Sequence, residues 1–162
     1  MIGLELAKRY AETVKNYFGK NLLAFAVFGS TARGEAKFPE SDIDLLIVVK
    51  EITGSLGKRI EILKDVEKEL EKTEEYRIFK KRYWSPEFQV HLLSKEELKA
   101  HPPILLDMVE DALIIYDTGI LKEELDEIRE KLRKLGAKRI KRGKDRYWIL
   151  KPDIKPGEVI EI

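Results

Sequence analysis

Two apolar segments, each joined to a short polar motif, constrain the fold of this chain more than any other feature. The run from Leu22 to Phe28 is followed at once by Gly29-Ser30. A second run, from Leu45 to Val49, follows the triplet Asp42-Ile43-Asp44. Continuous apolar runs of this length, bounded by turn residues, are typical of strands buried on both faces. The sequence therefore predicts a covered sheet with polar motifs at the end of one strand and the start of the next.

The spacing of apolar residues elsewhere predicts further helices and strands. Helices with apolar residues at three- and four-residue steps are predicted over Leu4–Phe18, Leu56–Leu70, Pro102–Ala112 and Leu121–Leu135. Shorter aromatic or alternating segments predict strands at Tyr76–Trp84 and Phe88–Leu92, and a basic hairpin over Arg139–Lys141 and Tyr147–Ile149. The segment Leu113–Tyr116 is short and apolar. The fold class is therefore α/β (α+β), with a mixed central β-sheet flanked by helices and a C-terminal helix and basic β-hairpin. We expect a core domain at 1–117 and an extension at 118–162 that packs on it.

Composition limits the kind of metal site and the location of the protein. The chain has no cysteine and only two histidines, so disulfides are impossible and a zinc centre is not expected. Any metal should be a hard ion held by carboxylates, Mg²⁺ or Mn²⁺. No apolar run is long enough to cross a membrane, and the first residues do not resemble a signal peptide. We expect a cytoplasmic protein.

The charges are dense, balanced overall and unevenly distributed. There are 31 basic and 30 acidic residues but one Gln, a bias that favours a thermophilic source. From Lys131 to Lys151 there are ten Lys or Arg and a single acid, Asp145. Such a segment is typical of a nucleic-acid-binding surface, and equally of an ordinary solvated face.

The Gly-Ser motif has the features of a phosphate-binding turn. Gly29 has no Cβ and lets a ligand approach the backbone closely, while the hydroxyl of Ser30 can donate to a phosphate oxygen. Arg33 offers a charge-assisted contact to the same anion. On its own the motif also fits an ordinary turn.

The paired aspartates favour the functional interpretation. Residues i and i+2 of a strand lie on the same face, so Asp42 and Asp44 should present two carboxylates side by side. Mutual repulsion would raise one pKa unless a divalent cation neutralises them. An isolated Asp-x-Asp is often only a cap beside a surface residue, but the preceding Gly-Ser strand makes a metal site the better hypothesis.

The two motifs together resemble a known family signature. Gly29-Ser30-Thr31-Ala32-Arg33-Gly34 with Ser41-Asp42-Ile43-Asp44-Leu45 is similar to the signature of the nucleotidyltransferase superfamily related to DNA polymerase β, most of all its minimal, archaeal-looking members. The resemblance implies transfer of a nucleoside monophosphate from a nucleoside triphosphate, with ATP favoured, to an acceptor hydroxyl. Gly29 and Ser30 would hold the β- and γ-phosphates, and Asp42 and Asp44 would bind the metal. It further implies a protein partner of helical toxin type.

The sequence departs from this family at the third carboxylate. The family places it on a later strand, and the matching position here is Gln89. A neutral amide can ligate a metal but cannot accept a proton as a base. Glu87 is an alternative ligand on the same face, and His91 is an alternative proton acceptor. Two functions therefore stay open: an active enzyme that modifies a protein, an RNA end or a small molecule, and a degenerate member that binds nucleotide or nucleic acid without turnover.

Overall fold

A four-stranded mixed sheet forms the centre of the computed structural model, which describes residues 1–162. The strands lie in the order β3-β2-β1-β4 and are β1 (Leu22–Phe28), β2 (Ile43–Val49), β3 (Phe88–Ser94) and β4 (Leu113–Asp117). Strand β1 is antiparallel to both β2 and β4, whereas β2 and β3 are parallel. This sheet, with helices on both faces, confirms the predicted fold class.

Six α-helices and a separate hairpin surround the sheet. The helices are α1 (Ile2–Phe18), α2 (Gly29–Arg33), α3 (Leu56–Leu70), α4 (Glu74–Tyr83), α5 (Lys95–Lys99) and α6 (Ile120–Leu135), and the hairpin consists of β5 (Lys138–Arg142) and β6 (Asp145–Ile149). Short 3₁₀ helices occupy Gly19–Asn21 and Pro103–Asp107. None of the helices combines the length and the apolar composition that crossing a bilayer requires.

The alternation of side chains along β2 divides the core into two layers. Ile43, Leu45 and Ile47 belong to a cluster formed with α1, α3 and α4. Leu46 and Val48 belong to a second cluster, to which α6 contributes its apolar face. Asp44 lies two residues before Leu46 and therefore on the same face of β2. This is the face that α6 and the Pro103–Asp107 segment cover.

The prediction of a strand at Tyr76–Trp84 was wrong, because this segment forms α4. Its first turn carries Glu74 and Glu75, and its last turn carries three basic residues, so both ends complement the helix dipole. The hydroxyl of Thr73 accepts from the amide of Tyr76 and caps the helix. Phe79, 1% exposed, then packs into the first core layer.

The helix predicted from Pro102-Pro103 to Ala112 is also shorter than expected. Only Pro103–Asp107 is helical, and it is a 3₁₀ segment. The chain then turns, with the amide of Ala112 donating to the carbonyl of Met108, and enters β4.

Candidate active site

Gly29 is the residue on which the geometry of the site depends. It directly follows β1 and has a φ of +66°, a backbone conformation that residues with a side chain rarely adopt. A Cβ at this position would lie 2.2 Å from Oδ2 of Asp44. The register of β1 and β2 explains the contact, since Phe28 pairs with Asp44. The Asp44 carboxylate therefore lies directly against the backbone of the Gly-Ser turn.

Gln89 lies beside both aspartates. In the parallel pairing of β2 and β3 it is the partner of Asp44. Its Nε2 donates a long hydrogen bond of 3.4 Å to Oδ2 of Asp42. Glu87 joins the same region through its backbone, because its carbonyl accepts from the amide of Ile43 at 2.9 Å. No hydrogen bond or ion pair links the Glu87 carboxylate to either aspartate.

The electrostatics of Asp44 fit a cation-binding carboxylate. Burial, and secondly the charge of Asp42, raise the pKa of Asp44 to about 6, whereas Arg33 opposes the rise and Asp107 adds to it. The structure thus holds two carboxylates together on a half-buried face without an ion pair to either. Oxygen donors of this kind suit Mg²⁺ or Mn²⁺, so the residues present fit the expected metal.

Two further ionisable side chains lie on this face. Burial lowers the pKa of His91, although Asp107 opposes the change, and the His91 ring lies 5.9 Å from that of Phe28. Burial also raises the pKa of Asp107, against the effect of Arg139 and Arg33. A histidine that is neutral at neutral pH can accept a proton. The charge of Asp107 acts on both Asp44 and His91, which places it near these two side chains.

Arg33 is engaged in a structural ion-pair network. Its Nη1 lies 3.0 Å from Asp111, and its Nε lies 3.1 Å from Glu35. Arg139 of the hairpin makes a second, two-pronged contact with Asp111 at 3.0 and 2.6 Å. The side chain of Asp111 is only 12% exposed, so this acid belongs to the interior side of the network. The partners are far apart in sequence, and no local pattern could have revealed them.

Ser30 differs from Arg33 in having a free side chain. Its hydroxyl makes no hydrogen bond with another residue of the chain. It faces a polar cavity of about 830 Å³ that Arg33 also lines. Of the predicted phosphate-binding groups, Ser30 is thus the one that is available to a ligand.

A second cluster, formed by His101, Glu124 and Glu127, shares no residue with this site. Its candidate ligand atoms lie within 4.8 Å of one another. Nε2 of His101 lies 2.6 Å from Glu124, and Nδ1 lies 2.5 Å from the carbonyl oxygen of Ile162. Lys131 contacts the same carbonyl at 2.9 Å. The groups satisfy one another and attach the tail to α6.

Comparison with known proteins found solved structures that share low sequence identity with this chain. No match was found among curated proteins. The spectinomycin adenyltransferase AAD(9) from Enterococcus faecialis, solved with ATP and spectinomycin, has a TM-score of 0.54 at 16% identity over 82% of this chain and 66% of its own. A toxin–antitoxin structure with AMP-PNP has a TM-score of 0.46 at 15% identity, over 77% of this chain and 91% of its own. A structure of a tri-AMPylated Shewanella oneidensis HEPN toxin in complex with MNT antitoxin has a TM-score of 0.46 at 13% identity, over 83% of this chain and 92% of its own.

The sequence profile of one family covers more than half of the chain. Residues 7–105 match the nucleotidyltransferase domain. This stretch contains β1, α2, β2 and β3, and with them the Gly-Ser turn and both aspartates. The chain belongs to the nucleotidyltransferase domain family.

Proposed function

We propose that this protein is a metal-dependent nucleotidyltransferase that transfers a nucleoside monophosphate from a nucleoside triphosphate to an acceptor hydroxyl. The observation that carries the proposal is the packing of the Asp44 carboxylate against Gly29. It brings a phosphate-binding turn and a metal-binding carboxylate into contact, as triphosphate chemistry requires. We favour ATP as the nucleotide, since AAD(9), which shares the fold, is an adenyltransferase solved with ATP.

Each group has a separate role in this reaction. Asp42 and Asp44 would hold Mg²⁺ or Mn²⁺, which supplies charge neutralisation and Lewis-acid polarisation of the phosphates. The hydroxyl of Ser30 would donate to a phosphate oxygen. An acceptor oxygen forms a bond to the α-phosphorus, the bond from that phosphorus to the bridging oxygen breaks, and pyrophosphate leaves with the electron pair.

The proton of the acceptor hydroxyl needs a destination other than Gln89. The amide of Gln89 can orient Asp42 through its hydrogen bond but has no basic atom. His91 lies two residues along the same strand face, and its lowered pKa leaves it neutral near pH 7. We propose His91 as the proton acceptor and Gln89 as a positioning residue, with Glu87 as an alternative ligand for a second ion.

The proposal also covers the acceptor and the type of enzyme. Resemblance to minimal, archaeal-looking nucleotidyltransferases favours an enzyme that modifies a protein of helical toxin type. The charge-rich composition with a single Gln favours a thermophilic source, and we propose a cytoplasmic location. An RNA end and a small-molecule hydroxyl are the other acceptors of matching chemistry. All three use the same attack on the α-phosphorus.

One observation favours a second candidate, a protein that binds nucleotide without transferring it. Gln89 is the strand partner of Asp44 and is hydrogen-bonded to Asp42, so a neutral side chain occupies the position at which the family has a carboxylate. Binding of the nucleotide and its metal would survive this change, whereas activation of the acceptor would not.

Calorimetric titration with α,β-methylene-ATP tests the proposal, because the bond that nucleotidyl transfer breaks is blocked in this analogue. Binding that requires Mg²⁺ and disappears in Asp42→Asn/Asp44→Asn is the expected result. Absence of binding to the wild-type protein would contradict both candidate functions.

Pyrophosphate release with ATP then separates the two candidates. An active enzyme releases pyrophosphate in the presence of an acceptor and loses this activity on His91→Ala. If the wild type is inactive and Gln89→Asp gains activity, the natural protein is a binder.

A further inference from the structure

The hairpin formed by β5 and β6 provides one wall of the cavity next to Ser30. The cavity has a volume of about 830 Å³, a size typical of ligand sites, and no hydrophobic residue lines it. Ser30 and Ser41 contribute from the sheet side, and Lys141, Gly143 and Lys144 contribute from the hairpin turn. A cavity with this lining suits a polyanion rather than a nucleobase or another apolar group.

The positive charge in this cavity is not neutralised by the protein. Lys37, Lys141 and Lys144 line it, and none of the three forms a salt bridge. Of the two acids in the lining, Glu35 is already paired with Arg33 and is contacted by a second arginine. Three ammonium groups thus face the cavity against one free carboxylate, which leaves a net attraction for a phosphate chain.

The hairpin is fixed in position by contacts at both of its strands. On β5, Arg139 binds Asp111 at 2.6 Å. On β6, Arg146 binds Glu35 at 2.8 Å, and the indole Nε1 of Trp148 donates to the Leu106 carbonyl at 2.8 Å. These contacts join the hairpin to the segments that carry the site, so its turn is held over the cavity without needing a ligand.

The turn itself directs lysines towards the cavity. Arg142 pairs with Asp145, which leaves Gly143 and Lys144 as the two central residues. Gly143 has a φ of +63°, as the first position of a type II′ hairpin turn requires. A two-residue turn is short and rigid, so Lys141 and Lys144 stay on the cavity side of the hairpin.

We propose that Lys141 and Lys144 bind the β- and γ-phosphates of the nucleoside triphosphate, opposite Ser30. The inference rests on the proposed nucleotide-binding function and extends it to a part of the chain beyond the matched family domain. When the bond between the α-phosphorus and the bridging oxygen breaks, the electron pair remains on pyrophosphate. The two lysines are placed to stabilise that charge. Arg33, held by Asp111 and Glu35, positions the wall rather than the phosphates.

The test compares Lys141→Gln/Lys144→Gln with a matched control, Lys134→Gln/Lys138→Gln. The control removes the same charge from exposed lysines that neither line the cavity nor form salt bridges. Calorimetry with Mg²⁺ and three probes, α,β-methylene-ATP, inorganic tripolyphosphate and AMP, measures binding, and circular dichroism verifies folding. The cavity variant should bind the two triphosphates at least about tenfold more weakly and AMP unchanged, and the control should match wild type.

The probes distinguish the ways in which the reasoning can fail. If the cavity variant binds α,β-methylene-ATP as tightly as wild type, the lysine assignment is overturned while the proposed function stands. If the wild type binds tripolyphosphate but no nucleotide, the anion site stands and the proposed function fails. If the cavity variant binds all three probes like wild type but, in a separate salt titration, loses affinity for single-stranded RNA, the hairpin is a nucleic-acid surface and the assignment is overturned.

Discussion

Replacing Gly29 by alanine tests the contact on which the candidate site depends. The substitution places a Cβ 2.2 Å from Oδ2 of Asp44 and 3.1 Å from its Cγ. Normal contact between such atoms is more than 3 Å, so the carboxylate has to rotate away from the turn. The variant therefore removes the Asp44 carboxylate from its place without altering its chemistry.

The expected loss of stability has two parts. A residue with a Cβ at positive φ costs about 1–2 kcal/mol, and a displaced, off-rotamer Asp44 adds about 1 kcal/mol. Gly136→Ala isolates the first part, because Gly136 has a φ of +68° and no atom within 4 Å of its Cβ position. Urea denaturation should thus show a loss of about 2–3 kcal/mol for Gly29→Ala and about 1–2 kcal/mol for Gly136→Ala.

A double-mutant cycle with Asp44→Ala assigns the second part to the collision. In the Asp44→Ala background no carboxylate meets the new methyl group, so Gly29→Ala should cost only as much as Gly136→Ala. The coupling free energy between positions 29 and 44 should be about 1 kcal/mol. A coupling near zero would mean that the carboxylate does not lie on the turn.

Nucleotide binding provides the decisive assay for the same variant. Gly29→Ala should bind α,β-methylene-ATP with Mg²⁺ at least about tenfold more weakly than wild type, because a displaced ligand weakens the metal site. Gly136→Ala should bind like wild type, since a Cβ at Gly136 meets no atom within 4 Å and so displaces no side chain. Unchanged binding by a folded Gly29→Ala protein would refute the reasoning that links this glycine to the site.

Three further variants test the packing around the site. Thr31→Val should raise the free energy of unfolding by about 1 kcal/mol, because Oγ1 of Thr31 is buried without a hydrogen-bond partner. Burial raises the pKa of Glu67, so ionisation of its carboxyl group costs stability as pH rises through that pKa. In urea titrations Glu67→Gln should therefore be more stable than wild type at pH 7.5 and equal to it below pH ~4. Asp111→Ala leaves two arginines without their shared partner and should lower the free energy of unfolding by about 2 kcal/mol. Asp126→Ala removes an exposed ion pair on α6 and should cost clearly less.

Elements with strong apolar periodicity could be predicted from the sequence. Strand β1 and helix α3 have the predicted ends, because a turn glycine or a capping serine marks their boundaries in the sequence itself. Helix α4 was assigned wrongly because aromatic and basic residues suggested strand alternation. Its signals were nevertheless local: Thr73 followed by Glu74-Glu75 marks a helix start.

The pairing of the two motifs was predictable for a different reason. Residues Gly29 and Asp44 end and begin consecutive strands, so any antiparallel pairing of those strands brings them together. Gln89 was placed near Asp44 by the family resemblance, because the alternation around Val90 fixes the face that Gln89 occupies but not the register of β3 against β2. Asp107 gave no such signal, since an acid in a short helix after two prolines is indistinguishable from a solvated one.

The phosphate-binding cations show why a motif alone does not describe the site. Arg33 lies inside the Gly-Ser motif, yet its guanidinium is bound by Asp111 and Glu35, and a group already paired in this way gains little by turning to a phosphate. The free ammonium groups of Lys141 and Lys144 lie more than a hundred residues later in the chain, on a hairpin that the ion pairs of Arg33 help to hold in place. The charge of Arg33 in the motif therefore helps to position the hairpin, and the charges of Lys141 and Lys144 on the hairpin remain free to bind a phosphate. This division depends on side-chain partners that only the folded chain brings together.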